Sequence, residues 1–202
     1  MARKKSRITL ALFLAVLPAV TAVQAARGAG RVTQVIRFVP RSPGRGMISG
    51  YCWTGSIAID RPDAYRCMAG NEIYDPCLAD RIEGYVVCNP NPAKGNPGTR
   101  MKLTKVLPAP EGQAGSLGGT WLVELADGTT CMPITGARGE IEGKTVSYYC
   151  EGGQKGTEID LLGDLDTSGP LWTAQKATVV YTRSGGAKVI NSRKEAVKRA
   201  WR

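Results

Sequence analysis

The feature that most constrains this chain is its set of six cysteines in a sequence of 202 residues without a histidine. The six are Cys52, Cys67, Cys77, Cys88, Cys131 and Cys150. The stretch "RCMAGNEIYDPC" separates two of them by ten positions, whereas the paired cysteines of zinc sites usually lie two to four residues apart. A CxxC redox motif is also absent from the sequence. We therefore predict three disulfides, no metal site and no cofactor.

The spacing leaves the pairing of the cysteines open, because six cysteines allow about 15 combinations. We favour Cys131–Cys150, Cys77–Cys88 and Cys52–Cys67. A rival set follows from an internal repeat between residues 63–88 and 127–150. Each copy runs from Asp to Cys-Met, then Ile-Glu-Gly, then a short strand that ends in cysteine. The repeat favours Cys67–Cys88 together with Cys52–Cys77.

Residues 1–25 carry the pattern of an export signal. Four cations precede an apolar run, and Val23 and Ala25 supply the small residues of a cleavage site. The run is short and contains Pro18, whereas a membrane-spanning helix needs about 20 apolar residues. We predict a signal peptide over 1–25, no transmembrane segment in the mature chain, and a secreted or periplasmic location. Disulfides form in such oxidising compartments.

The positive charge of the chain is concentrated at its two ends. The net charge is +10, of which residues 1–25 carry four and residues 183–202 carry six, so that residues 26–182 are neutral overall. We predict a basic flexible arm over 26–46 and a basic tail over 183–202. Because the body between them is not basic, we predict no nucleic-acid partner.

The central part of the sequence indicates a mainly β protein. Short segments rich in Val, Ile, Thr and aromatic residues alternate with clusters of Gly, Pro and Asn, which is typical of a sandwich or barrel. We predict one small, disulfide-stapled antiparallel sandwich or barrel over 47–182. Two helices are also predicted: a short one that starts at Asp75-Pro76, and one in the tail, where four apolar residues have helical spacing. Those four are Ala196, Val197, Ala200 and Trp201.

The lack of histidine excludes Ser-His-Asp and Cys-His catalysis, which need an imidazole, so we predict no catalytic residues. A pair of carboxylates is the remaining catalytic alternative. The candidate acids are Asp160, Asp164, Asp166, Glu140, Glu142 and Glu151. For a binding surface, the candidates are Trp53, Tyr65, Tyr74 and Tyr148, because Trp and Tyr combine an apolar ring with a polar group. We expect Trp121 and Trp172 to lie in the core.

Several segments resemble a family of small secreted bacterial proteins. "RCMAGNEIYDPC" fits the pattern RCxxGNxIxDPC, "LADGTTC" fits LADGxxC, and "YYC" fits YxC. The resemblance covers residues 50–175 and implies an exported, cysteine-bridged domain without transferring any catalytic residue. A shorter likeness, through "VSYYCEGG" alone, is to periplasmic lysozyme inhibitors, which are small disulfide-bearing β-barrels.

Together these features predict a non-catalytic binding module of the cell envelope or extracellular space, with a cell-wall polymer or a protein as its partner. The first alternative is a secreted inhibitor of a hydrolase, for which the rigid loop 89–98 would enter an active site. The second is a hydrolase that uses only carboxylates.

Overall fold

The computed structural model describes residues 32–40, 46–109, 119–182 and 185–202. The predicted signal peptide lies outside these ranges. Thirteen strands form in this part of the chain, together with one 3-10 turn at Pro92–Lys94. The strands are β1 Gln34–Ile36, β2 Met47–Gly55, β3 Ala64–Ala69, β4 Glu72–Ala79, β5 Tyr85–Cys88, β6 Thr99–Leu103, β7 Leu122–Leu125, β8 Thr130–Pro133, β9 Glu140–Ile141, β10 Lys144–Cys150, β11 Glu158–Asp166, β12 Thr173–Tyr181 and β13 Ala187–Trp201. The mainly β class is confirmed. Among the described residues, no helix has the length and apolar character to cross a membrane.

Strands β2 to β6 form a closed barrel, called here the first barrel. Neighbouring strands are antiparallel, and β6 closes the barrel by pairing in parallel with β2. The interior is narrow: a Cβ atom added at Gly50 would lie 2.2 Å from the carbonyl oxygen of Met68. Only glycine fits there, because nearly all the volume of a protein interior is already occupied. The core contains Cys52, Tyr65, Cys67, Cys77, Val86, Cys88 and Met101.

A second closed sheet, the second barrel, consists of β7, β8, β10, β11, β12 and β13. It closes because β13 pairs with β12 along its first part and with β7 along its last part. Strand β1 adds to β13 in parallel, and β9 pairs with the start of β10. The core contains Val123, Leu125, Cys131, Tyr148, Leu161, Trp172, Ala174, Val197 and Ala200.

The two barrels are joined by a shared apolar cluster. The first barrel and its β2–β3 loop contribute Ala58, Ile59, Ala64 and Leu78, and the second barrel contributes Trp121, Leu122 and Trp201. The ring of Phe38 packs edge-on against Trp121, with 5.7 Å between centroids. Phe38 and β1 belong to the segment expected to be a flexible arm, so part of that segment lies against the folded body. Trp121 and Trp172 are both buried, as predicted.

The predicted C-terminal helix is wrong, because residues 187–201 form the long strand β13. Two features of the tertiary structure explain why the apolar residues of this segment have a spacing typical of a helix. First, a register shift between Val197 and Arg199 interrupts strand alternation, so that Val197 and Ala200 both enter the core of the second barrel. Second, Trp201 lies in the cluster between the barrels. Apolar residues are therefore needed on both faces of the strand.

The helix predicted at Asp75-Pro76 is also wrong, because this dipeptide lies inside β4 and its peptide bond is cis. The residues that follow pair with β5, Cys77 opposite Cys88 and Leu78 opposite Val87. Strand pairing on both sides of β4 therefore overrides the local preference for a helix start.

Candidate functional site

The structure contains the three disulfides of the favoured set. Cys52–Cys67 and Cys77–Cys88 lie in the first barrel, and Cys131–Cys150 lies in the second. Each bridge joins two residues that are directly opposite each other on adjacent antiparallel strands. The pairing favoured from the sequence is confirmed, and the set suggested by the internal repeat is not formed.

The four aromatic residues proposed for binding occupy different environments. Trp53 is 40% exposed, whereas Tyr65 and Tyr148 are buried in the cores of the first and second barrel. Burial raises the pKa of the Tyr148 hydroxyl well above its usual value, and that hydroxyl donates a hydrogen bond to the Thr120 carbonyl at 3.2 Å. Tyr74 is half-buried, and its hydroxyl donates to Glu72. Of the four side chains, Trp53 is therefore the one that a partner can reach readily.

Trp53 belongs to a group of side chains on the outside of the first barrel, called here the outer patch. Its members are Tyr51, Trp53, Arg66, Met68, Ile73 and Lys105. Successive side chains of a strand point to opposite faces. Because Cys52 faces the core, Tyr51 faces outward. Trp53 lies at a register shift between Cys52 and Thr54, and its 40% exposure places its ring on the outside as well. Met68 lies opposite Tyr51 on one side and opposite Ile73 on the other. Ile73 is 49% exposed, so the outer patch offers apolar surface on both sides of Met68.

Two cations cover the aromatic rings of the outer patch. The Lys105 Nζ atom lies 3.9 Å from the centroid of the Tyr51 ring, and the Arg66 guanidinium carbon lies 5.8 Å from the Trp53 ring. The two rings meet edge to face, with 6.4 Å between centroids and an interplanar angle of 61°. A cation above a ring face is attracted by the ring's negative potential. The rings are therefore held in place and their faces are partly occupied.

Arg66 connects the outer patch to the second barrel. Its Nη1 atom donates to Asp75 Oδ2 at 3.1 Å and to the Thr135 carbonyl at 2.9 Å. Asp75 is completely buried and also accepts a hydrogen bond from the Ser56 hydroxyl at 2.5 Å. Burial raises the pKa of Asp75, although the bonds from Ser56 and Ile57 and the charge of Arg66 favour the carboxylate. The Trp53 ring therefore contacts an arginine that is held by hydrogen bonds to both barrels.

A small crevice of about 180 Å³ lies beside Arg66, between the two barrels. Its lining consists of Ile73, Asp75, Asn89, Trp121, Met132, Pro133, Ile134, Thr135 and Tyr149. Ile73 belongs to both the crevice and the outer patch, and Tyr149 on the opposite wall is 44% exposed. The outer patch and the crevice therefore form one surface, with a shallow depression that has room for about one side chain of a partner.

The acids considered for catalysis do not form a pair across a cavity among the described residues. Asp160 is buried and accepts a hydrogen bond from the Tyr181 hydroxyl at 2.8 Å. Asp166 accepts one from Lys194, and Glu151 is paired with Lys94. Four cavities that described residues line carry at most one carboxylate each. A two-carboxylate mechanism needs two acids that face the same bound sugar, so this arrangement does not favour it.

The loop 89–98, expected to protrude if the protein is an inhibitor, is packed against the second barrel. Ala93 contacts the cluster between the barrels. Lys94 and the side-chain amide of Asn91 both bind Glu151, and Asn91 forms an isolated bridge with Asn96. These contacts hold the loop against the body, so it does not protrude.

Four basic residues of the tail form ion pairs with acids on β13 itself, on β7 and β11 and in the β7–β8 turn. Arg193 binds Asp127 and Glu195, Lys194 binds Asp166, and Lys198 and Arg199 both bind Glu124. These pairs neutralise much of the positive charge that the sequence places at this end of the chain. The tail is therefore not a free polycationic surface.

Comparison of the chain with protein-family models, curated proteins and solved structures finds no match. The function must therefore be inferred from the geometry of this chain. Sequence reasoning identified Trp53 but missed Arg66, Met68, Ile73 and Lys105. Alternation from Cys52 could have placed Tyr51 beside Trp53. The contacts of Arg66 and Lys105 depend on register and loop placement, which the sequence pattern does not specify.

Proposed function

We propose that this protein is an exported, non-catalytic binding module that binds another protein through the outer patch and the adjoining crevice. The observation that carries the proposal is the exposed ring of Trp53, which rests on Arg66 beside exposed Ile73. Trp, Tyr, Met and Arg are enriched at the centres of protein–protein interfaces, and Trp, Tyr and Arg are the most frequent hot-spot residues. Such residues usually lie beside a pocket, and the crevice between the barrels is a pocket of this kind.

A protein partner agrees with the ring geometry better than a cell-wall polymer does. Sugar rings bind aromatic residues by stacking on an open ring face, whereas Lys105 already covers one face of Tyr51. The two rings are also not coplanar, so they do not form a flat platform for successive sugars. A protein surface can contact ring edges and fill the crevice with a single side chain.

The charges of the outer patch favour an acidic partner. In the part of the chain that the structure describes, Lys105 contacts no carboxylate. Arg66 is paired with Asp75 and its side chain is only 15% exposed, so Lys105 is the cation of the outer patch that a partner meets. A partner with a carboxylate beside an apolar centre would complement Lys105.

Export is part of the same proposal. Three disulfides are typical of proteins from oxidising compartments, and the leader-like residues 1–25 agree with that origin. The resemblance to small secreted bacterial proteins supports it as well. A hydrolase would be one suitable partner, which keeps inhibition as a special case of protein binding, although loop 89–98 is not the element that would carry it.

The test is affinity capture from envelope extract with the mature protein and two matched variants. Ile73→Ala removes an exposed side chain from the outer patch, and Ile190→Ala removes one that is 55% exposed on β13. We expect one protein to be retained in stoichiometric amount by the wild type and by Ile190→Ala. Its affinity should fall at least about tenfold with Ile73→Ala and further with Trp53→Ala, since hot-spot truncations cost about 2 kcal/mol or more.

Two outcomes would contradict the proposal. One is that the mature protein retains purified cell-wall glycan, and that it does so equally well when protein has been removed from the extract. The other is equal loss of the captured protein in Ile73→Ala and Ile190→Ala, which would place the contact outside the outer patch. Circular dichroism of each variant confirms that a loss of capture is not a loss of folding.

A further inference from the structure

The two disulfides of the first barrel lie next to each other. The sulfur atoms of Cys67, Cys77 and Cys88 all lie within 4.8 Å of one another, although Cys67 is bonded to Cys52 and not to either of the other two. All three are completely buried, and Cys52 is 4% exposed. Because all of these sulfurs are in disulfides, the cluster offers no free thiolate to a metal ion.

The strand register explains this proximity. Cys52 and Cys67 are opposite each other on β2 and β3, and Cys77 and Cys88 are opposite each other on β4 and β5. On the shared boundary of β3 and β4, Tyr65 pairs with Cys77 and Cys67 pairs with Tyr74. Cys67 and Cys77 are therefore diagonal neighbours, and the sulfurs form a continuous row across four strands of the barrel interior.

We propose that these four cysteines form a thiol–disulfide exchange site. Once a local opening of the barrel admits it, a small external thiol attacks Cys52 of the buried Cys52–Cys67 bridge, forms a mixed disulfide with it and releases Cys67 as a thiolate. Cys67 then attacks the Cys77–Cys88 bridge. A Cys67–Cys88 bond forms while the Cys77–Cys88 bond breaks and Cys77 leaves as a thiolate, or Cys67 bonds to Cys77 and Cys88 leaves. The second step exchanges one disulfide for another without net oxidation or reduction.

The exchange would change which strands are covalently linked. In the native pairing, β2 is tied to β3 by Cys52–Cys67. After exchange, β3 is tied to β4 or β5, and β2 has no bridge within the barrel. Since β2 carries Tyr51 and Trp53, the exchange would loosen the outer patch; this consequence, unlike the exchange itself, rests on the proposed function.

The first test treats the folded wild-type protein with a low-molecular-weight thiol at pH 8, followed by alkylation and peptide mass spectrometry. In molecules that carry one mixed disulfide at Cys52, we expect the alkylated cysteine to shift with time from Cys67 to Cys77 or Cys88. Uncatalysed disulfide rearrangement takes minutes to hours, so the series should extend over several hours. Alkylation that stays at Cys67 throughout would overturn the proposal, and so would equal labelling of all six cysteines, which indicates general unfolding.

The second test uses Cys52→Ser, which leaves Cys67 as a free thiol without any reductant. We expect peptide mass spectrometry to detect bridges between Cys67 and Cys77 or Cys88 in part of the folded molecules, because the free Cys67 thiolate lies within 4.8 Å of both sulfurs of that bridge. The matched control is Cys131→Ser, which frees the half-buried Cys150 beside the core of the second barrel and should leave both bridges of the first barrel unchanged. If Cys52→Ser contains the Cys77–Cys88 bridge and no bridge to Cys67, the exchange does not occur and the proposal is wrong. Both tests read bond positions, so their result does not depend on whether a partner exists.

Discussion

Replacement of Trp201 by alanine gives the sharpest test of the architecture. Trp201 is the last residue of β13 and is 2% exposed. It pairs with Leu122 of β7 and Ile36 of β1, and its ring belongs to the cluster between the barrels. The substitution therefore removes apolar contacts that connect three strands and both barrels.

The magnitude follows from burial. Replacing a buried tryptophan by alanine costs about 3–5 kcal/mol, which combines the lost transfer energy with the cavity that remains. For a protein of this size, each kcal/mol lowers the melting temperature by about 2–4 °C. We therefore expect a decrease of roughly 6–20 °C for Trp201→Ala.

The measurements are thermal and urea denaturation, both followed by far-ultraviolet circular dichroism, because tryptophan fluorescence would itself change with the substitution. The matched control is Ile190→Ala, an exposed position on the same strand, which should change the free energy of unfolding by no more than about 0.5 kcal/mol. A similarly small effect for Trp201→Ala would refute the assignment of the C-terminal segment to the shared core. It would instead support a tail that is loosely attached.

Two further predictions concern charged groups. Arg66→Ala leaves the buried Asp75 carboxylate without its cation and should cost about 3 kcal/mol in urea denaturation, with partial recovery in Arg66→Ala/Asp75→Asn. Because burial raises the pKa of Asp75, the neutral form is favoured as pH falls, so the cost should be smaller at pH 4 than at pH 8; a pH-independent cost would contradict this reasoning. Burial alone would raise the pKa of Asp127, but hydrogen bonds from Lys176 and Thr129 outweigh it and hold the pKa at about 2. Its stabilisation is therefore present above the unfolded value of 3.8 and is lost towards pH 2. Asp127→Asn should lower stability at pH 7 by about 1 kcal/mol after solvent screening and have a much smaller effect at pH 2, where about half of the folded-state carboxyl is protonated, as a pH series of urea denaturations would show.

The candidate site could be predicted only in part. Trp53 was identified from its residue type, but its outward direction depends on the register shift between Cys52 and Thr54. Tyr65 and Tyr148 have the same residue class but point into the cores, because a shift of one position along a strand reverses the face. Residue type alone therefore could not separate the exposed tryptophan from the two buried tyrosines.

The sequence by itself determined the β class and the cysteine chemistry. Short β-rich segments, turn residues and an even number of cysteines without histidine are local properties. They left two sets of cysteine pairs open, and the strand register decided for Cys52–Cys67, Cys77–Cys88 and Cys131–Cys150. Only the tertiary structure decided that there are two barrels and that residues 187–201 close the second as a strand. Local preference at Trp201 and its neighbours favoured a helix, but pairing with three other strands and burial on two faces contribute more free energy than intrinsic propensity does.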